Sequence, residues 1–184
     1  MKKTCIILGT FLTLLFTACE GPAGPPGFNG FDGQDGVDGS IFEALVFEID
    51  IDLALNSANN TFEFREDFSA HNIQLYNNDA IFVYRLEEVD NGLDVWRQLP
   101  QPFLTDLGVL YYNFDFTQYD YSIYVEPDYN ANSVAPSLVN NQVFRVFILP
   151  ADVNFSTKME FSNMNTLMKA TGITEKDIQQ FKIN

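Results

Sequence analysis

Glycine recurs at every third position in one stretch of this chain: Gly21, Gly24, Gly27, Gly30, Gly33, Gly36 and Gly39. A strict period of three is the collagen signature, because only glycine fits the crowded axis where three polyproline-II chains meet. Residues 19–40 therefore read as a stalk, and globular structure falls to residues 41–184. Pro22, Pro25 and Pro26 occupy the first two triplets, whereas Asp32, Asp35 and Asp38 would set like charges against each other across three chains. A triple helix this short needs a trimeric head to hold its chains in register. Without one the run is a single-chain spacer. Its 19 residues reach roughly 60 Å when extended at about 3.1 Å each, and roughly 25 Å as a random coil.

The residues ahead of the repeat have the plan of a secretory signal. Lys2 and Lys3 give a positive start, Cys5 to Phe16 is almost wholly apolar, and Leu15-Phe16-Thr17-Ala18 leads into Cys19. The apolar run is too short to remain as a membrane span. A small residue directly before a cysteine, with a bulky apolar residue upstream, resembles a bacterial lipobox. Residues 1–18 are then a lipoprotein signal peptide and Cys19 is the lipidated first residue. Several acyl chains on one residue anchor firmly, since each buried CH₂ contributes about 0.8 kcal/mol.

Cys5 leaves with the leader and Cys19 is acylated, so the head has no cysteine. That excludes a disulfide framework, a thiol nucleophile and cysteine-type zinc or iron–sulfur sites in the head. An apolar core must hold the fold, and a domain of this size buries roughly 70% of its unfolded surface. The chain carries a net charge of −15, and residues 41–184 hold 21 acidic against 8 basic residues, about −13. Nucleic acid and anionic lipid are therefore poor partners for the head.

The head is expected to be mainly β. In Leu45 to Leu53 apolar residues alternate with acids, which predicts one buried face and one wet face. Ile81 to Leu86 is apolar on both faces up to Arg85, as in a central strand. Asp90-Asn91-Gly92 marks a hairpin returning through Val95 and Trp96. Val109 to Phe116 and Tyr121 to Val125 form a second hairpin around Thr117–Asp120, and Val143 to Leu149 ends at Pro150. Evenly spaced strands of this kind predict an antiparallel sandwich or jelly-roll-like domain. Near the C-terminus, Met164, Leu167 and Met168 at helical spacing, with Ser162 or Asn163 before them and Gly172 after, predict one short helix. Thr174 with Asp177 resembles a second helix N-cap ahead of Ile178 and Phe181.

Residue inventory argues against common catalytic routes, and neither an enzyme nor a cofactor is expected. His71 is the only histidine. Ser69 is close in sequence, but a triad also needs a buried orienting acid and an oxyanion hole. Paired carboxylates keep a glycan-active hydrolase open as an alternative. Asp128, Asn130 and Asn132 have the alternate spacing of a calcium loop, but Ser133 stands where glycine belongs and Val139 where the bidentate glutamate belongs. Glu48, Asp50 and Asp52 are a weaker cation candidate, better read as a solvated or edge-protecting face. Tyr111, Tyr112, Tyr119, Tyr121, Tyr124 and Tyr129 crowd the second hairpin and its exit. Those left outside the core would form an aromatic platform that stacks on sugars or anchors a protein.

Cys19-Glu20-Gly21-Pro22, the glycine repeat, and the segments Ala80–Leu86, Asp94–Gln101 and Asn141–Val146 together resemble small collagen-like lipoproteins of Flavobacteria and other Bacteroidetes. The resemblance runs over most of residues 15–184. It implies an envelope lipoprotein with a β head at the outer membrane or cell surface, and it carries over no catalytic residue. The expected protein is membrane-anchored through Cys19, with a non-catalytic head in an interaction or structural role, a protein or glycan being the ligand in the first case. A trimeric, adhesin-like assembly is the first alternative.

Overall fold

A computed structural model describes residues 44–150 and 161–183. The signal peptide, Cys19 and the Gly-x-y stalk lie outside the described residues. Ser40–Asn184 forms a unit of its own.

Ten strands are described: β1 (Leu45–Ile51), β2 (Ala54–Asn56), β3 (Thr61–Asp67), β4 (Ala80–Asp90), β5 (Leu93–Gln98), β6 (Gln101–Thr105), β7 (Gly108–Phe116), β8 (Asp120–Pro127), β9 (Gln142–Leu149) and β10 (Gln179–Lys182). One α-helix, α1 (Met164–Thr171), precedes β10. The strands form two five-stranded sheets. The first has the order β10-β1-β9-β4-β5 and the second β2-β3-β8-β7-β6. Every pairing is antiparallel except β1 with β10. The predicted antiparallel sandwich with a short C-terminal helix is the fold observed.

Alternation builds the core between the sheets. Phe47, Ile49 and Ile51 of β1, Ile81 and Val83 of β4, and Phe144, Val146 and Ile148 of β9 face Phe62, Leu110, Tyr112, Ile123 and Val125. Each such side chain contributes about 1.5–3 kcal/mol when fully buried. The hairpin at Asn91-Gly92 has φ of 49° and 81°, the left-handed pair that a two-residue type I′ turn requires. β4 lies between β9 and β5, as a strand apolar on both faces should.

Three expectations are corrected. The second face of β1 is not simply wet. Val46, with Tyr84, Phe147 and Leu149, forms a second apolar cluster under Met164, Leu167 and Met168 of α1. Asn163 caps that helix, its Oδ1 accepting from the Thr166 N–H at 3.3 Å, and Gly172 ends it at φ 74°. Glu48, on the same face, pairs with Arg145 at 2.7 Å.

The Thr174–Asp177 pair makes its capping bond, with the Asp177 carboxylate accepting from the Thr174 N–H at 2.8 Å, but no helix follows. The chain enters β10 instead. Ile178 joins the cluster under α1 and Phe181 the core between the sheets. Two residues three apart share a face on a helix but take opposite faces on a strand, and here each face has a core to join.

The third correction concerns strand number. β2, β3 and β6 were not anticipated. Thr61–Asp67 alternates, but its charges mask a strand whose outer face is polar. Pro102 is compatible with β6 because that strand is at a sheet edge.

Candidate functional site: the uncovered face of the second sheet

The outer faces of the two sheets differ. The first carries α1, whereas among the described residues no helix lies over the second. That second face presents side chains in register across three strands. Glu63, Tyr124 and Asn113 form one row, and Arg65, Ser122 and Asp115 the next. Tyr111 stands opposite Glu126. A shallow groove of about 420 Å³ runs between them, lined by Asn59, Thr61, Glu63, Asp115, Tyr124 and Glu126 among others.

Local hydrogen bonds set its electrostatics. Thr61 Oγ1 donates to Glu63, and Asn56 Nδ2 donates to the same carboxylate at 3.1 and 3.2 Å. These donors hold the Glu63 carboxyl below the usual range. Asn113 Nδ2 donates to Glu126 Oε2 at 2.6 Å. Burial, then the charges of Asp115 and Glu126, push the Tyr124 phenol up. Arg65 pairs with Asp120, whose carboxyl is lowered first by that hydrogen bond and then by Thr117. The groove thus offers an aromatic ring, carboxyl groups, amides and hydroxyls on an open floor.

The six tyrosines divide as alternation requires. Tyr112 and Tyr121 are buried, with hydroxyls donating to Leu138 O and Glu66 Oε2, each at 2.8 Å. Tyr129 is half-buried and Tyr119 is exposed on the β7–β8 turn. Tyr111 and Tyr124 remain on the outer face.

The other sequence candidates are placed elsewhere. His71 ends a 3₁₀ turn (Phe68–His71) and stacks on Phe181 with ring centroids 3.8 Å apart. Its Nε2 is 2.9 Å from Glu66 Oε2. Ser69 is exposed, and no hydrogen bond joins it to His71 among the described residues. The sequence reading missed Glu66 as the partner of both His71 and Tyr121. A cavity of about 300 Å³ lies beside His71, Tyr76, Asp79 and Gln179.

The calcium-like loop is used locally. Asp128 Oδ1 accepts from the Val109 N–H, and Asn130 Oδ1 accepts from the Asn132 N–H, both at 2.9 Å. Asp52 accepts from the Asn141 N–H at 2.7 Å. Among the described residues no three His, Cys, Asp or Glu side chains are grouped to hold a metal, and no helix is long and apolar enough to cross a membrane.

Comparison with known proteins found no matching family model, curated protein or solved structure.

Proposed function

We propose that this chain is a cell-envelope lipoprotein, anchored through Cys19 at the outer membrane or cell surface, whose β head binds a saccharide without transforming it. The Gly-x-y run acts as a spacer between anchor and head. The observation that carries the binding role is the open groove on the second sheet, where Tyr124 lies among Glu63, Asp115, Glu126 and Asn59. An aromatic face flanked by carboxylates and amides suits a ring with an apolar face and equatorial hydroxyls.

A hydrolase would instead use a carboxyl raised above its ordinary value as general acid. Glu63 is pulled down by its Thr61 and Asn56 donors. The test is a glycan array probed with residues 20–184 and with the Tyr124→Ala variant. Saccharide binding that weakens about tenfold in the variant, a change of about 1.4 kcal/mol, supports the reading. Release of sugar products from the bound glycan would overturn it in favour of hydrolysis.

A further inference from the structure

Exposed apolar side chains gather at the two ends of the sandwich, apart from Tyr111, which is 45% exposed on the outer face of the second sheet. The chain enters β1 at Leu45, opposite Ile148, and the His71 cavity lies at that end. The exposed aromatics Tyr76, Phe116 and Tyr119 are at the same end, on the loop after His71 and on the β7–β8 turn. The exposed large aliphatics lie at the opposite end. Val89 and Leu93 are 59% and 72% exposed at the β4–β5 hairpin, and Leu104 and Leu107 are 79% and 60% exposed at the β6–β7 hairpin. Leu55 on β2 is the fifth and last among the described residues.

The two hairpins belong to one corner. β4 pairs with β9 only as far as Arg85, so residues 86–90 pair with β5 alone and project past the sheet. Across the sandwich, the Arg85 guanidinium lies 4.1 Å from the Tyr112 ring centre and 5.6 Å from that of Phe103. Gln101 of β6 donates to Glu87 of β4 at 3.3 Å. The base of one hairpin is thereby fixed against the other, one from each sheet.

We infer that this pair of hairpin tips docks a protein partner that presents apolar side chains interleaved with Lys or Arg. Isolated exposed leucines need no explanation, but Leu93 and Leu107 at two juxtaposed tips, with Val89 and Leu104 on the flanking faces, give a partner apolar contacts on more than one side of the corner. Charge selects the partner. Asp94, opposite Val89, and Asp106, next to Leu107, are exposed on these tips and form no ion pair among the described residues. Such acids repel both anionic lipid and a second copy of a chain carrying −15. This surface is separate from the groove around Tyr124, so either can fail without the other.

The test places a photo-crosslinking benzoylphenylalanine at Leu93, Leu107 or, as controls, Tyr76 and Tyr119 in the full-length lipidated chain in its host cells. The inference expects one adduct, identified by mass spectrometry as the same protein from Leu93 and Leu107, crosslinked through a Lys- or Arg-containing segment. Its yield should fall about tenfold, equivalent to about 1.4 kcal/mol, when Asp94→Lys and Asp106→Lys are combined. It should also fall at about 1 M salt, where the screening length is about 3 Å. Circular dichroism and melting of the double variant confirm that it is folded. A second copy of this chain or lipid as the adduct, equal yield from the control positions, salt-insensitive yield, or no adduct would each overturn the inference.

Discussion

Replacing Arg145 by alanine tests how the helix and C-terminal strand are held to the sandwich. The Arg145 side chain is only 7% exposed on the outer face of the first sheet. Nε donates to Glu48 at 2.7 Å, and the two terminal nitrogens donate to Glu175 at 2.9 and 2.8 Å. The guanidinium also lies 4.2 Å from the Trp96 ring centre. Glu175 is 65% exposed and Glu48 only 18%, so the two pairs are unequal. An exposed pair contributes under about 1 kcal/mol. Removing one partner of a buried pair costs about 3–5 kcal/mol, because the other charge stays desolvated. Gln180 donates to Glu48 at 3.1 Å without involving Arg145, which places the expected loss near the lower end, about 3 kcal/mol. For a head of this size that is a drop of roughly 10 °C in melting temperature. Urea unfolding of residues 20–184, followed by the single tryptophan, measures it. Glu175→Gln should cost about 0.5–1 kcal/mol. The reasoning fails if Arg145→Ala costs under about 1 kcal/mol, or if Glu175→Gln costs as much as Arg145→Ala.

Acid should destabilise the head through Asp120. Its folded pKa is depressed by Arg65 and Thr117, so its contribution is present above the unfolded value near 3.8 and is lost as pH falls through the folded value. Asp120→Asn should therefore flatten the stability–pH curve below about pH 4, as read by urea midpoints at stepped pH. Arg85, buried between the sheets, donates its Nε to Gln142 Oε1 at 3.0 Å, so Arg85→Met should cost about 1–3 kcal/mol in urea unfolding, because the buried Gln142 oxygen loses its donor. Cys19→Ser should move the protein from the membrane to the soluble fraction and abolish palmitate labelling. Light scattering of residues 20–184 should give the mass of one chain, as a spacer requires; three would restore the trimer.

Strands were legible where one face had an unbroken alternation. β1, β4, β7, β8 and β9 carry Phe, Ile, Val or Tyr at every second position, and period two was enough to find them. β3 was not legible because Glu63, Arg65 and Asp67 dominate its outer face, although Phe62 and Phe64 alternate with them. β10 was hidden by a Thr-to-Asp spacing that serves a turn as well as a helix cap. Its choice between helix and strand depended on the free edge of β1, which no local pattern contains. The tyrosine cluster was visible, but the separation of Tyr111 and Tyr124 from Tyr112 and Tyr121 depends on register. The carboxylates around Tyr124 come from three strands, and Glu63 of β3 is far in sequence from the hairpin that carries Asp115 and Glu126. Glu66 escaped notice because its contact with Tyr121 is cross-strand and its approach to His71 depends on the 3₁₀ turn after β3.

The central claim is that the head recognises a saccharide through the open face of the second sheet. The most direct measurement is calorimetric titration of the best array saccharide into residues 20–184 and into Tyr124→Ala. The account predicts saturable binding to the first, about tenfold weaker in the second, with the melting temperature of the unliganded protein unchanged. Equal affinity for both proteins would contradict it.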